Sequence, residues 1–391
     1  MLARDVFRVL CILSPFIFCA YGVNTLSRLE KPIFEAMYQF GDSIADAGNR
    51  VREFPHYSCG RPPYGQTFFH HPTGGCSDGL LIIDFFGMIF ILLPVSSSLS
   101  HVITAKALNL PFLDPYLDKN GNFTHGVNFA VAGATALNVS TLAAKNITAN
   151  VSSSLLVQPD WFKSHLNSMC FTPSECKEKL GKALFFAGEI GGNDYNFAAY
   201  QGKTMEHLQA LVPEVIQTIM HVVKELIDVG ARRIIVPGNF PVGCMTVYLA
   251  KFKTDDTKMY DELNCLRRWN EFAMFQNDQL QTAIQDLQER LPDVAIVYAD
   301  YYTALTSILS RATSLGFEED GLQKACCGTG NNDQYNFDSS KMCGYHGVSV
   351  CPDPNKRVSW DGIHLTQHAY QLVADWLLQY ILPTNSKVQV A

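Results

Sequence analysis

The sequence predicts an α/β protein built around a parallel β-sheet. Two observations lead to this fold class. Short apolar runs of strand length recur at about 33–40, 182–187, 232–237 and 294–298, and segments with helical periodicity separate them. Strands that alternate with helices are typical of βαβ units, in which consecutive strands lie parallel. The chain contains no linker, repeat or low-complexity tract, so we expect a single α/β sandwich domain.

Each element follows from local signals along the chain. The first strand, 33–40, runs into Gly41-Asp42-Ser43, and the strand at 182–187 leads to the turn Gly191-Gly192-Asn193. The helix at 205–229 repeats apolar residues at the spacing of one buried face and ends at Gly230, a residue type common at helix ends. The strand at 232–237, a helix at 261–291, the strand at 294–298 and a last helix at 366–381 complete the pattern.

Composition limits the possible functions. The chain has 391 residues, 47% of them hydrophobic, which is enough to bury a full core. Its net charge of −7, without any basic cluster, argues against nucleic-acid binding. No Walker loop, Gly-x-Gly-x-x-Gly fingerprint or His-Glu-x-x-His motif occurs, so we expect neither a cofactor nor a bound metal.

The first 22 residues have the features of a secretory signal peptide. Arg4 and Arg8 precede an apolar stretch that is too short to span a bilayer, and Ala20 and Gly22 provide small residues for cleavage. We therefore expect a signal peptide at 1–22 and a mature chain, 23–391, that forms the single domain. The mature protein is expected outside the cell, without a stable membrane span.

The cysteines agree with secretion. Removing Cys11 and Cys19 with the signal peptide leaves ten of twelve, and an even number in an oxidising compartment favours disulfides. Cys170 and Cys176 are close enough in sequence to close a local loop. Four more crowd one Gly/Asn-rich segment: Cys326, Cys327, Cys343 and Cys351. A zinc site is the alternative for this cluster, although it has no Cys-x-x-Cys pair.

Four Asn-x-Ser/Thr sequons are candidate glycosylation sites of a secreted chain. They lie at Asn122, Asn138, Asn146 and Asn150. Each could accept a glycan only on an exposed loop.

Two distant segments contain the side chains of a nucleophile and its base. Ser43 lies just beyond the first strand, where open α/β sheets place their active sites, and Asp361 precedes His364 by three residues. A serine hydroxyl needs a histidine to take its proton, and a carboxylate fixes the tautomer of that histidine. Taken alone, Gly-Asp-Ser and Asp-x-x-His are also compatible with helix caps. Segments 126–134 and 191–194 add small residues and amide donors, as an oxyanion site requires.

These four blocks, in the order Ser, Gly, Asn and Asp-x-x-His, resemble the GDSL (SGNH-hydrolase) esterase/lipase family in its secreted plant branch. The resemblance extends from about Ala36 to Leu382 and includes non-catalytic stretches such as 62–69. It implies a flavodoxin-like three-layer α/β/α sandwich with a central parallel sheet. The implied activity is that of a serine carboxylester hydrolase.

The resemblance also implies roles for individual residues. Ser43 would be the nucleophile that forms an acyl-enzyme, His364 the base and then the acid, and Asp361 the carboxylate that orients His364. The backbone N–H groups of Ser43 and Gly133 and the side-chain amide of Asn193 would form the oxyanion hole. No cofactor or metal is implied.

The substrate is expected to be a small-molecule ester or an acylated carbohydrate, met in the apoplast or cell wall. Pocket loops set specificity, so these blocks identify neither the acyl group nor the alcohol. Two alternatives remain open. The same acyl-enzyme could transfer its acyl group to an alcohol acceptor, or the chain could be a catalytically silent secreted glycoprotein.

One segment departs from the family pattern. Residues from about Phe86 to Thr104 interrupt a predicted helix and contain Pro94 followed by a serine run, both unfavourable in a helix interior. Just before it, Leu80 replaces a basic residue typical of the family. We interpret 86–104 as an atypical insertion foreign to the working fold; a membrane or substrate lip is the alternative.

Overall fold

A parallel sheet lies at the centre of the computed structural model, which describes residues 34–87, 111–329 and 334–381. Within these ranges its strands are β1 (Ala36–Phe40), β2 (Gly126–Asn128), β3 (Ala183–Ala187), β4 (Arg233–Pro237) and β5 (Ala295–Ala299). They are ordered β2-β1-β3-β4-β5, and every neighbouring pair is parallel. This is the strand order of flavodoxin-like folds, so the predicted fold class is confirmed. The predicted signal peptide, 1–22, lies outside the described residues.

Helices connect and cover the strands. They are α1 (Asn49–Glu53), α2 (Ile82–Gly87), α3 (Val139–Ala144), α4 (Gln158–Met169), α5 (Pro173–Gly181), α6 (Gly192–Tyr200), α7 (Met205–Val229), α8 (Thr246–Lys251), α9 (Arg267–Arg290), α10 (Tyr301–Ser310) and α11 (Gln367–Ile381). Short 3₁₀ turns occur at Ser58–Gly60, Val242–Cys244, Thr257–Met259, Ala312–Leu315, Glu319–Gly321 and Pro354–Lys356. A separate antiparallel pair is formed by β6 (Cys327–Gly328) and β7 (Ser349–Val350).

Alternating side chains of the strands build two hydrophobic layers. Tyr38 and Phe40 point to the layer that contains buried residues of α4, α5, α7 and α9. Met37, which directly precedes Tyr38, belongs to the layer with α2, α8, α10 and α11. Because successive residues of a strand face opposite sides of the sheet, helices on both faces bury an entire strand. The result is the expected three-layer sandwich.

Most predicted boundaries agree with the structure, and one differs clearly. Helix α7 has the predicted bounds, whereas α9 begins at Arg267 rather than at Asp261. The Asp261 carboxylate instead accepts hydrogen bonds from the backbone N–H groups of Leu263 and Cys265, which forms a turn. A disulfide then ties Cys265, just before α9, to Cys244 in the 3₁₀ turn Val242–Cys244.

All ten cysteines expected in the mature chain form disulfides. The pairs are Cys59–Cys76, Cys170–Cys176, Cys244–Cys265, Cys326–Cys351 and Cys327–Cys343. The predicted local loop at 170–176 is confirmed, and the clustered cysteines make two bridges within their own segment.

The start of the proposed insertion needs correction. Phe86 belongs to α2, is only 1% exposed and packs edge-to-face on Phe186 of β3 at 5.0 Å. Phe86 and Gly87 are therefore part of the core rather than foreign to it. Residues 88–104 of the proposed insertion lie outside the described residues. Among the helices of the described ranges, none is long and apolar enough to cross a membrane.

Candidate active site

Ser43 lies directly beyond the carboxyl end of β1, in a loop whose backbone is held on both sides. Gly41 has a φ of 145°, and a Cβ there would come within 2.7 Å of the Glu189 carbonyl oxygen, so only glycine fits this approach. The backbone N–H of Gly41 donates to the side chain of Gln158, whose amide donates back to the Gly41 carbonyl, both at 2.8 Å. Ser43 itself is 8% exposed. Its position at the switch between β1 and β3 is where flavodoxin-like sheets bind ligands.

Asp361 and His364 form a buried pair just before α11. Nδ1 of His364 lies 2.7 Å from Oδ2 of Asp361, and the His364 backbone N–H donates to Oδ1 at 2.8 Å. The turn predicted from their spacing thus brings both side chains together. Nε2 of His364 is buried and has no hydrogen-bond partner among the described residues.

The surroundings of Asp361 keep its carboxylate ionised. Burial alone would raise its pKa, but the charge and hydrogen bonds of His364 outweigh burial and hold the pKa of Asp361 below its ordinary value. The Tyr64 hydroxyl also donates to Oδ2, at 2.7 Å. An ionised carboxylate only accepts hydrogen bonds, so Nδ1 of His364 must be the donor. When the imidazole is neutral, its basic lone pair therefore lies on Nε2, the nitrogen without a partner among the described residues.

Asn193 lies in the first turn of α6 after β3, and both hydrogens of its side-chain amide are engaged. Nδ2 donates to Oδ2 of Asp42 at 2.9 Å and to the carbonyl of Ala134 at 3.0 Å. The first bond joins Asn193 to the residue before Ser43, and the second joins it to the residue after Gly133. The structure therefore brings together three segments that are far apart in sequence.

Gly133 lies in the loop after β2 with a φ of 83°, where a Cβ would come within 2.8 Å of the Val151 side chain. The preceding residue, Ala132, donates its backbone N–H to Oδ2 of Asp46 at 2.8 Å. Asp46 also accepts from the N–H groups that open α1. This carboxylate fixes the Gly133 loop to the Ser43 loop.

Buried acids surround Ser43 and have raised pKa values. Burial raises the pKa of Asp42 to about 7, against the hydrogen bond from Ile44 and the charge of His364, which lower it. Burial also raises the pKa of Asp194 to about 7. The pKa of Glu189 is raised well above its ordinary value by burial and then by the charge of Asp42. Burial thus disfavours the charged form of each of these acids, which limits negative charge near the serine loop.

A cavity of about 420 Å³ lies beside the loop between Asp361 and His364. Val247, in its wall, donates its backbone N–H to the Gly362 carbonyl at 2.8 Å. The ring of Phe337, also in the wall, packs so closely on Gly362 that a Cβ there would meet it at 2.2 Å. Further lining residues are Tyr200, Ala250, Lys251, Thr329, Asp338 and Ser339.

Sequence reasoning missed three side chains of this region. Tyr64 lies in a stretch that the sequence analysis treats as non-catalytic, yet it contacts Asp361. The Gly-Asp-Ser tripeptide points to Ser43 rather than to Asp42, and no motif marks Glu189. The signal that could have found Tyr64 is its presence in a stretch shared with the resembled family.

The parallel five-stranded sheet with helices on both faces is the three-layer α/β/α architecture of the SGNH hydrolases. The chain belongs to the GDSL-like lipase/acylhydrolase family, whose model matches residues 37–377. It is accordingly a carboxylic ester hydrolase.

Similar proteins come from plants. The chain is 42% identical over 355 residues to acetylajmalan esterase of Rauvolfia serpentina, covering 89% of this chain and 86% of that protein. It is 42% identical over 371 residues to a GDSL esterase/lipase of Arabidopsis thaliana, covering 93% and 88%. A second Arabidopsis thaliana GDSL esterase/lipase is 43% identical over 383 residues, covering 95% and 94%.

Proposed function

We propose that the protein hydrolyses esters through an acyl-enzyme on Ser43. Nε2 of His364 takes the hydroxyl proton as the Ser43 Oγ attacks the ester carbonyl carbon. The tetrahedral intermediate collapses, the bond to the alcohol oxygen breaks, and His364 returns the proton to the leaving alcohol. Asp361 holds the imidazole and stabilises its cation.

In the second half of the reaction, water attacks the acyl-enzyme by the same kind of steps. His364 takes a proton from water, the hydroxide attacks the acyl carbon, and the bond to Ser43 breaks. Oγ recovers its proton from His364, and the carboxylic acid leaves.

Three donors would stabilise the oxyanion of both intermediates: the N–H groups of Ser43 and Gly133 and the amide of Asn193. Both amide hydrogens of Asn193 are engaged, with Asp42 and Ala134. In this proposal Asn193 shares one of them with the oxyanion when the intermediate forms. Donors held in place before the reaction need no reorganisation during it.

The observation that supports the mechanism best is the environment of His364. Asp361 fixes the proton on Nδ1, and Nε2 is buried without a partner among the described residues. A buried polar atom without a partner is costly in a stable fold unless a ligand or a reacting group uses it. A resting general base needs a lone pair that no other group occupies, as Nε2 has here.

We further propose that the substrate is the ester of a short acyl group and a bulky alcohol. The relative from Rauvolfia serpentina is named an acetylajmalan esterase, which indicates an acetyl ester. The cavity beside Gly362 combines aromatic walls from Tyr200 and Phe337 with polar groups, so it can hold an amphipathic alcohol, such as a specialised metabolite or a sugar.

We also propose that the mature chain, 23–391, is a single-domain glycoprotein that is secreted. Its ten paired cysteines are typical of an oxidising compartment. Asn122, Asn146 and Asn150 are exposed, as glycan acceptors must be. Asn138 is half-buried and caps α3 by accepting from the Thr141 N–H, so we rank it last among the four sequons.

Fluorophosphonate labelling tests the mechanism. The purified protein should take up one label, mapped by tryptic digestion to Ser43, and Ser43→Ala should abolish both labelling and hydrolysis of p-nitrophenyl acetate. Ser154→Ala is the matched control, because Ser154 is buried, as Ser43 is, and its Oγ has no hydrogen-bond partner among the described residues. A label on another serine, or full activity in Ser43→Ala, contradicts the assignment.

A further inference from the structure

The Tyr64 hydroxyl reaches the carboxylate of Asp361 across 297 residues of sequence. It donates to Oδ2 at 2.7 Å, the same oxygen that receives Nδ1 of His364 at 2.7 Å. Tyr64 is 1% exposed, so no water competes for this bond from bulk solvent. The mechanism above assigns no role to Tyr64.

We propose that Tyr64 is a positioning residue that orients Asp361 and weakens its attraction for the His364 imidazolium. This inference rests on the proposed function of the Asp361–His364 pair. The hydrogen bonds to the two carboxylate oxygens of Asp361 explain how Tyr64 acts. Oδ1 accepts the backbone N–H groups of Ile363 and His364, at 2.9 and 2.8 Å. Oδ2 accepts two side chains, and of these only Tyr64 stays neutral when His364 takes up a proton.

The Tyr64 ring is held firmly enough for this task. It packs edge-to-face on Trp360 at 6.0 Å, and Trp360 is fully buried. The backbone of Trp360 joins two neighbours: its carbonyl accepts from Cys327 N–H at 2.7 Å, and its N–H donates to the His364 carbonyl at 2.8 Å. The disulfide Cys59–Cys76 closes the loop that contains Tyr64. These contacts fix the hydroxyl relative to the carboxylate.

Removing the hydroxyl changes the basicity of the Asp361 carboxylate and leaves the tyrosine ring in place. A hydrogen bond to a carboxylate stabilises its charged form, so its loss makes Asp361 more basic. A more basic carboxylate stabilises the His364 imidazolium more strongly. His364 then stays protonated up to a higher pH, so hydrolysis begins at a higher pH.

Other ionisable groups face this pair and are unchanged by the substitution. Asp42 faces it from the loop after β1, Tyr57 from the segment before Tyr64, and Tyr370 from α11. Because they remain in place, a shift in the pH profile reports the lost hydroxyl.

The test is Tyr64→Phe in the full chain, with kcat/KM for p-nitrophenyl acetate measured from pH 5 to 9. We expect the acidic limb to move upward by about 0.5 pH unit, and kcat at pH 7 to fall about threefold to tenfold with KM nearly unchanged. Tyr195→Phe is the matched control. Tyr195 is buried in α6, and its hydroxyl has no hydrogen-bond partner among the described residues, so its profile should not move.

A second readout does not depend on catalysis. NMR of histidine-labelled protein, with the His364 signal identified by its loss in His364→Ala, follows the ring titration directly. A rise in its midpoint in Tyr64→Phe supports the inference, even if the rate profile shows that another group is the catalytic base. An unchanged midpoint in a folded Tyr64→Phe protein overturns it, whatever happens to activity.

Discussion

The side-chain amide of Asn193 donates a 2.9 Å hydrogen bond to Oδ2 of Asp42, although 151 residues separate the two. Oδ1 of the same carboxylate accepts the backbone N–H of Ile44 at 3.1 Å. One carboxylate therefore connects the loop that carries Ser43 to the start of α6. The orientation of the proposed oxyanion donor depends on Asp42.

Asp42→Asn should lower turnover with little effect on substrate binding. An amide has one acceptor oxygen, so it cannot serve Ile44 and Asn193 through separate oxygens as the carboxylate does. Loss of one oxyanion donor typically costs about 10²–10³ in rate, and a misoriented donor should cost about 10–10². Steady-state kinetics should therefore show a lower kcat and a KM within about threefold.

Asp84→Asn is the control for that substitution. Asp84 is also buried with a pKa raised by burial, to about 6, but it accepts from the N–H of Leu81, just before α2, and takes no part in the proposed site. Its kcat should remain near that of the wild type. An unchanged kcat in folded Asp42→Asn removes Asp42 from the site.

The contrast between local and long-range features explains what the sequence could predict. Ser43 and the Asp361–His364 pair could be found because each lies in a short motif next to a predicted strand or helix. The bonds Tyr64–Asp361 and Asp42–Asn193 join residues that no periodicity relates. Strand β2 escaped prediction because three residues, Gly126–Asn128, are too few to show an alternating pattern.

Stability should fall as the pH rises from 5 to 8. The pKa values of Asp42 and Asp194 are raised to about 7, and that of Asp46 to about 6, in each case chiefly by burial. The unfolded chain releases these protons near pH 4, whereas the folded protein keeps them to pH 6–7. Their contribution to stability is thus complete below about pH 4 and lost as the pH passes 6–7. Thermal unfolding followed by circular dichroism should give a decreasing Tm.

Asp194→Asn separates this effect from a general response to pH. Its carboxylate accepts the N–H groups of Ala136 and Leu137, so the amide should lower Tm at every pH. The slope of Tm against pH should nevertheless become shallower, because one titrating group is gone. Asp361 has the opposite effect on stability, because its pKa is lowered in the folded protein. This effect is confined to pH values below about 4. A Tm that is flat or rises between pH 5 and 8 in the wild type contradicts this account.

Two disulfides should differ in their effect on activity. Cys327→Ser/Cys343→Ser opens a bridge beside Trp360, whose carbonyl accepts the Cys327 N–H, so both Tm and hydrolysis should decrease. Cys170→Ser/Cys176→Ser opens a six-residue local loop and should lower Tm alone. A native bridge typically contributes about 2–4 kcal/mol, more for longer loops. Thiol titration of the unfolded wild type should find no free thiol among the ten cysteines; four or more would contradict the assigned pairs.

The proposed insertion can be removed at two starting points, and the structure predicts different outcomes. Deletion of 86–104 removes Phe86, which packs on Phe186 in the core, and loss of a buried phenylalanine costs about 3–5 kcal/mol. Deletion of 88–104 keeps α2 complete. The second deletion should therefore give more soluble protein with a higher Tm than the first.

Ester hydrolysis should survive the deletion of 88–104, because Ser43, Gly133, Asn193 and His364 all lie outside it. Soluble yield should also rise, since this stretch contains many large apolar residues without matching charges, a composition that favours aggregation. Activity on p-nitrophenyl acetate and circular dichroism of both deletions are the measurements. If the 88–104 deletion folds as the wild type does and yet cannot hydrolyse esters, the segment is a functional lip, because a foreign insertion has no part in catalysis.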